Sequence, residues 1–311
     1  MENKNIVVTG GLGFIGSHIV DELVDNNKVT IIDNLSTGKL ENLKDPNHEN
    51  LTIIKEDLLN ADLEEILKGK DYVFHLAALA SVPGSVAEPL EYNQNNIDAS
   101  VKLFIACKNN NIKKVIFSSS SAVYGENPNM PLKESENFMP CSPYAAQKAG
   151  CELYLKSFYE SYGLNYVALR YFNVFGPRQD ENSPYAAVIP KFISAILNGE
   201  SPVIYGDGEQ SRDFIYVKEI AKANIKSAES DYNGTINVAL GKSMTINRLF
   251  EIIRDVLESD IEVKYLDERP GDIKHSLADT SKLKEIDFKP DEDKFEEQLR
   301  ETVKWFRTQM E

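Results

Sequence analysis

Tyr144 and Lys148 stand four residues apart in SPYAAQK, directly after a proline. That spacing puts both side chains on one face of a helix. Such a pair can be an ordinary solvated helix face, or a phenol held ready to lose its proton. Upstream, KKVIFSSSSAVYG ends an apolar run in four serines, followed by Tyr124 and Gly125. Serines could merely shape a turn, but hydroxyls at the end of a parallel strand would face the ligand crevice of an open α/β sheet. Proton transfer is the chemistry these groups could share. A phenol with a pKa of about 10 is a poor base at neutral pH. The lysine charge, together with a positively charged cofactor ring beside the phenol, is therefore expected to lower the pKa of Tyr144.

A second group of residues could hold a charged cofactor. NIVVTGGLGFIGSHIVDEL reads as a strand, a glycine turn and a helix start. It fits GxGxxG through Gly11, Gly13 and Gly16, and GxxGxxG through Gly10, Gly13 and Gly16. Glycines there let a pyrophosphate approach the backbone, while the helix N-terminus supplies N–H donors and a positive dipole end. Asp33 ends the next strand, in IIDN, where a carboxylate would accept the adenosine ribose hydroxyls and repel a 2′-phosphate. NAD is thus expected rather than NADP. Asp57 closes the third strand at the same sheet edge, where adenine would lie, though it could also be the N-cap of the next helix. Phe14, Ile15, Asn34, Gly38 and Leu58 flank these positions and complete the candidate dinucleotide site.

The elements that must position these groups alternate. NIVVTG, KVTIIDN, LTIIKED, DYVFHLA, KKVIFSSS and NYVALRYF read as strands. GSHIVDELVDN, ADLEEILKG, NNIDASVKLFIACKNNN and PYAAQKAGCELYLKSFYESYG read as helices between them. Continuous apolar strands alternating with amphipathic helices predict an α/β fold, a Rossmann-type doubly wound parallel sheet covered on both faces. After residue 170 glycine and proline interrupt the pattern, which resumes as IPKFISAILNG, SMTINRLFEIIRDVLES and EEQLRETVKWFRTQ. The expected organisation is a dinucleotide-binding domain over 1–170, receiving part of 211–240, and a smaller α/β substrate-binding domain over 171–311.

Composition narrows the partners. With a formal net charge of −15, the chain offers no basic face for nucleic acid or an anionic membrane. No apolar run approaches the roughly 18 residues of a membrane span, and the polar start has no signal-peptide core. Cys107, Cys141 and Cys151 show no metal-ligand spacing and read as buried, reduced thiols of a cytoplasmic protein, so no metal is expected. Eight arginines stand against twenty-six lysines, and Arg170, Arg178, Arg212 and Arg269 fall in loop-like stretches, a distribution that hints at phosphate binding.

Taken together, the glycine loop, the serine-ended strand and the Tyr/Lys pair resemble the extended short-chain dehydrogenase/reductase family, and within it the nucleotide-sugar epimerases. The resemblance runs from residue 5 to about residue 290. It implies that Tyr144 and Lys148 are the family's YxxxK pair, with Ser120 its catalytic serine or threonine and Ser118 a further contact. Tyr144 would take the proton from a sugar hydroxyl as hydride leaves the same carbon for NAD. FHLAALAS resembles the fourth-strand motif, which implies that Leu76, Ala77 and Ala78 lie along the cofactor; Asn95 matches the family's structural asparagine. The resemblance also places Tyr171 and Phe172 beside nicotinamide and sugar, Asn173, Arg212 and Arg269 on the diphosphate, and Asp272 on the uridine ribose. Guanidinium suits phosphate through its fixed fork of donors, although each arginine could instead make an interdomain ion pair. Val188, Phe192, Val203 and Tyr205 would surround uracil and ribose, unless the apolar ones are simply core.

The family's sugar 4,6-dehydratases carry Asp-Glu after the catalytic Ser/Thr, and its decarboxylases resemble a pattern with Glu at the second position. Here those positions are Ser121 and Ala122, which favours C4 epimerisation of a UDP-hexose. Ala80 and Ala187 depart from the glucose/galactose enzymes and resemble the branch that takes N-acetylated sugars. Ser276 stands where enzymes restricted to plain hexoses have tyrosine, leaving room for a 2-acetamido group, which Ser81 could meet. Interconversion of UDP-GlcNAc and UDP-GalNAc, with UDP-Glc and UDP-Gal, is the expectation. A UDP-glucuronate 4-epimerase is the next reading, against which no spare cation for the sugar carboxylate is evident. A non-catalytic NAD-binding sensor would not need Ser120, Tyr144 and Lys148 together. The family also implies a homodimer through the helix beginning at Tyr144 and the one over 95–108.

Overall fold

The β-branched runs of the first half lie side by side as β1 (Asn5–Thr9), β2 (Lys28–Asp33), β3 (Leu51–Lys55), β4 (Tyr72–His75), β5 (Lys114–Ser120) and β6 (Tyr166–Tyr171). The computed structural model describes residues 1–180, 187–268 and 273–310. Beyond β6, the chain makes β7 (Asn173–Phe175), β8 (Val203–Tyr205) and β9 (Ser211–Tyr216) outside that sheet. β10 (Gly234–Val238) then returns to it as a seventh strand, in the order β10-β6-β5-β4-β1-β2-β3. Each neighbouring pair is parallel. Two small sheets, β11 (Ser243–Thr245) with β9 and β7, and β12 (Lys264–Leu266) with β8, complete the strands.

Helices α1 (Phe14–Leu23), α2 (Leu63–Ile66), α3 (Val82–Ala87), α4 (Pro89–Asn93), α5 (Ala99–Asn109) and α6 (Pro143–Tyr162) connect the first six strands. α7 (Val188–Leu197), α8 (Val217–Glu229), α9 (Ile246–Leu257) and α10 (Phe295–Met310) follow. Alternate residues of each strand serve opposite faces. Ile6 and Val8 pack with Ile19 of α1 and Ile220 of α8, while Val7 packs with Phe104 of α5 and Leu155 of α6. Burying a side chain such as Phe104 contributes roughly 2 kcal/mol, so both helical layers hold the sheet. A third core joins α7, α9 and α10 through Phe192, Phe250 and Phe306.

Local chemistry fixes the helix that matters most. Ser142 caps α6 by accepting from Ala145 N at 3.2 Å, Pro143 occupies its first turn, and Gly163 ends it at φ +74°. Three helical expectations are corrected. SMTINRLFEIIRDVLES begins as β11, and α9 starts after Thr245, whose hydroxyl accepts from Arg248 N. The helix expected over ADLEEILKG is the single turn α2, capped by Asp62. The helix from residue 95 opens in a π-turn, Gln94–Asp98, before α5. Three further helices, the short α3 and α4 and the longer α8, have no counterpart in the sequence reading; the buried face of α8 shows why. Half of that face is small: Ala221, Ala223, Ser227 and Ala228. Cys107 and Cys151 are buried as expected, but Cys141 is exposed in the loop before α6. Among the described residues no helix is long and apolar enough to cross a membrane.

Candidate functional site

β1 lies between β4 and β2, so strand order reverses there and a crevice opens at the carboxyl ends of the strands. A cleft of about 470 Å³ occupies that position, within the range of small-ligand sites. Gly10, Gly13, Phe14, Ile15 and Gly16 form its floor. Gly10 has φ +68°, and a Cβ there would lie 2.7 Å from Ala77 N; at Gly16 a Cβ would lie 2.1 Å from Gly10 O. Only glycine fits either place, and the result is a bare backbone cradle at the N-terminus of α1. Asp33 is buried, its two oxygens accepting from Leu12 N at 3.0 Å and Leu35 N at 2.8 Å. Gly38 sits against this carboxylate, just outside the wall. Asp57 is not a helix cap: it accepts from Leu59 N and from Asn34 Nδ2, tying two strand ends together beneath Leu58. This cradle and carboxylate fit the pyrophosphate and ribose of a dinucleotide. No cluster among the described residues could hold a metal.

Leu76, Ala77, Ala78, Asn95, Ser118, Ser120, Tyr144, Lys148 and Tyr171 line the other end, so the sequence-predicted cofactor and catalytic residues converge. Lys148 is the one cation in this wall among the described residues, donating to Ser118 O at 2.7 Å with Nζ 4.9 Å from the Phe117 ring centre. Burial lowers its pKa to about 8, against the raising influence of Cys151 and Glu152. Tyr144 is buried beside it. Burial pushes its phenol up to about 12, and only a hydrogen bond with Ser120 works the other way. Desolvation of the phenolate outweighs a lysine whose hydrogen bond is spent on a carbonyl. The phenol therefore stays protonated in the protein alone, and a cation stacked beside it would be needed to bring it down.

Other residues hold these in place, and sequence reasoning missed them. Asn96 is buried, pairs with both backbone groups of Leu79 and donates to Gln147 Oε1 at 2.8 Å. Its neighbour Asn95 lines the cleft, as expected, and donates to Glu91 O at 2.9 Å. Ser85 accepts from the Tyr144 backbone N at 3.0 Å. Arg170 is no phosphate ligand. It is buried, paired with Glu152 at 2.7 Å, and lies over Tyr124 and Phe138. Arg178 is likewise paired with Asp21 at 2.6 Å. The helical spacing of Lys148 and Glu152 was the available signal; nothing in the sequence tied Glu152 to Arg170.

The expected uridine and sugar contacts are scattered. Asn173 donates to Asp213 O at 2.9 Å, Arg212 to the carbonyls of Ser211 and Lys274, and Ser276 N to Ser211 O at 3.0 Å. Tyr205 borders a smaller hollow of about 60 Å³ with Lys274. Ala187 and Val188 open α7, and Val203 lies on β8. Phe192 is corrected to core: it is 2% exposed and stands edge-on to Phe250. Ser81 caps α3, accepting from Gly84 N at 3.0 Å. Arg269 and Asp272 lie outside the described residues.

The comparisons agree with this geometry. A solved UDP-N-acetylglucosamine 4-epimerase from Methanobrevibacter ruminantium M1, in complex with UDP-N-acetylmuramic acid, is 90% identical over 100% of both chains, with a TM-score of 0.99. A UDP-glucose 4-epimerase from Thermotoga maritima, solved with UDP-glucose, is 41% identical over 99% of this chain and 100% of that one, with a TM-score of 0.93. The UDP-glucose 4-epimerase of Mycolicibacterium smegmatis is 33% identical, covering 97% of this chain and 98% of the relative. A family model, that of the NAD dependent epimerase/dehydratase family, matches residues 6–239. With the glycine cradle, Asp33 and the Ser120–Tyr144–Lys148 constellation joined in one cleft, the chain belongs to the NAD dependent epimerase/dehydratase family.

Proposed function

We propose that the protein interconverts the C4 epimers of UDP-hexoses, taking UDP-GlcNAc and UDP-GalNAc as well as UDP-Glc and UDP-Gal. The observation that carries this reading is the poverty of acid–base groups at the reacting end of the cleft. Its wall offers Tyr144, Lys148 and Tyr171 there, the last with its phenol donating to Asn224 at 2.9 Å, whereas Asp33, Glu56 and Asp57 all lie at the other end. After Ser120 comes the turn Ser121–Tyr124, without a carboxylate that could eliminate water or assist decarboxylation. Oxidation and reduction at one carbon need one proton shuttle, and one is present.

When bound, NAD would supply a reversible hydride acceptor for C4 of the sugar. Around it, Gly10, Gly13, Gly16 and Asp33 would hold the dinucleotide. Ser120 would orient the sugar hydroxyl, and Tyr144 would take and restore its proton while Lys148 keeps positive charge beside the ring. Asn173 and Arg212, with Arg269 and Asp272, would hold the UDP moiety. Ser276 leaves space for the acetamido group, in line with the N-acetylated sugar nucleotides named for the Methanobrevibacter ruminantium protein. Exposed Ile105, Leu153 and Tyr154 on α5 and α6 support a homodimer through those helices.

The test is an NMR time course without added cofactor, in separate tubes of UDP-GlcNAc, UDP-Glc and UDP-glucuronate. UDP-GalNAc should appear in the first. Conversion of UDP-Glc alone would keep the mechanism and discard the role of Ser276; turnover only of UDP-glucuronate would replace the substrate. Replacing Ser276 with Tyr should depress turnover of the N-acetylated pair selectively, and equal loss on both pairs would refute the space argument.

A further inference from the structure

A chain of buried polar groups that the chemistry does not use runs behind the cleft. Thr9 ends β1, His75 ends β4, Ser100 lies on α5 and Asn96 in the π-turn before it, all 2% exposed or less. Thr9 Oγ1 accepts from the N–H groups of Leu76 and Ala77, both at 3.2 Å. Both lone pairs are then taken, so its proton must point at His75 Nδ1, 2.8 Å away. At the far side of the ring, Ser100 donates to Asn96 O at 2.5 Å. Its proton is spent there, so it must accept from His75 Nε2, 2.9 Å away. Two independent deductions assign one tautomer, neutral with the proton on Nε2. Burial and the nearby Lys148 charge hold the imidazole neutral. The π-turn has a matching use, because it leaves Asn96 O to receive Ser100 Oγ and, at 3.3 Å, Cys151 Sγ of α6.

We propose that Thr9, His75, Ser100 and Asn96 form a positioning relay that ties the cofactor-facing backbone of 76–79 to the helix carrying Tyr144 and Lys148. Both ends are anchored. At one, Leu76 and Ala77 face the cleft through a backbone that Thr9 pins. At the other, the Asn96 side chain holds Leu79 N and O and also Gln147, the residue before Lys148. The relay fixes the distance between the nicotinamide end of the cleft and the proton-transferring phenol, the quantity on which hydride and proton transfer at one carbon depends. This rests on the assignment of Tyr144 and Lys148 as the reacting pair.

The first measurement is the imidazole ¹⁵N spectrum of the full-length protein at neutral pH, with His75 identified by a His75→Gln control among four histidines. A neutral Nε2–H ring is expected; an Nδ1–H ring or an imidazolium overturns the relay. Thr9→Val should weaken NAD binding and lower turnover per bound NAD, each by about tenfold, while Thr9→Ser restores both. A merely structural role would lower the melting temperature and the active fraction but leave both quantities unchanged, and that result refutes the proposal. Gln147→Leu, which leaves the Thr9 end intact, should lower kcat severalfold with NAD affinity retained. The ¹⁵N and NAD-binding readouts stand even if no UDP-sugar is turned over, so failure of the relay and failure of the proposed activity are distinguishable.

Discussion

The two ends of the cleft are built on different plans. At the reacting end buried polar side chains engage one another: Glu152 takes Arg170 and Ser119, Asn96 takes Gln147, and His75 lies between Thr9 and Ser100. At the UDP end the expected contacts come from segments far apart in sequence, joined largely through backbone carbonyls such as those of Ser211, Asp213 and Lys274. The first plan restrains side chains through one another; the second would hold a ligand by many replaceable contacts. Side-chain losses should therefore cost turnover and stability at one end and apparent substrate affinity at the other.

The largest effect is expected from Tyr144→Phe. With the proton shuttle gone, kcat should fall by on the order of 10³, while NAD binding, measured by titration, stays close to wild type. Parallel loss of NAD affinity would mean that the phenol belongs to the cofactor site rather than to the chemistry. Next comes Glu152→Gln. It leaves Arg170, 2% exposed, as an uncompensated buried charge, and should cost about 3–5 kcal/mol in urea unfolding. Removing both charges together, with Glu152→Leu and Arg170→Met, should recover most of that. A double variant as unstable as the single would show that the ion pair itself, rather than the orphaned charge, holds β6 to α6.

The same contrast explains what the sequence made legible. The glycine loop, Asp33, the serine run and the Tyr/Lys pair each lie at the end of a strand or the start of a helix whose period is plain, so geometry followed from pattern. The sheet was readable for the same reason, up to β6. For β10 only the region was legible, as a part of 211–240 joining the first domain: Gly234–Val238 is a short run whose place beside β6 depends on α8, a helix whose buried face is half small residues. The role of Asn96 was not legible either, because it depends on a π-turn that buries this residue and leaves no composition signal. The expected fall in the Tyr144 pKa depends on the cofactor's charge: spacing reports proximity to Lys148 but not the burial that outweighs the lysine in the protein alone. Arginine scarcity misled at Arg170 and Arg178, where the partners Glu152 and Asp21 come from distant helices.

Acid sharpens the comparison further. His75 and His18 are held neutral by burial, with pKa values lowered to about 3 and about 4. Both lie below the unfolded value of about 6.5, so the unfolded chain binds protons that the fold refuses. The stability they contribute is complete above pH 6.5 and is lost as pH falls through 5, by roughly 2 kcal/mol for each ring at pH 5. Asp213, at the UDP end, acts in the opposite sense. Burial pushes its carboxyl up to about 7, so between that pH and 3.8 the fold binds a proton that the unfolded chain does not. The net loss between pH 7.5 and 5 should be about 2 kcal/mol, and about 4 kcal/mol in Asp213→Asn, where the offset is gone. Equal pH slopes for wild type and variant would remove Asp213 from the balance.

The smallest effect is expected at Arg212, and it tests the UDP end directly. Arg212 Nη1 reaches the carbonyls of Ser211 and Lys274, at 3.0 and 3.3 Å, which orients the guanidinium along β9. Arg212→Lys keeps the charge but loses the fork that can meet two phosphate oxygens at once. Losing one such charge-assisted hydrogen bond should raise KM for the UDP-sugar by about tenfold, or about 1.4 kcal/mol, with kcat changed less than twofold. If kcat falls with KM unchanged, Arg212 acts in the transition state, and the UDP end takes part in the chemistry just as the reacting end does.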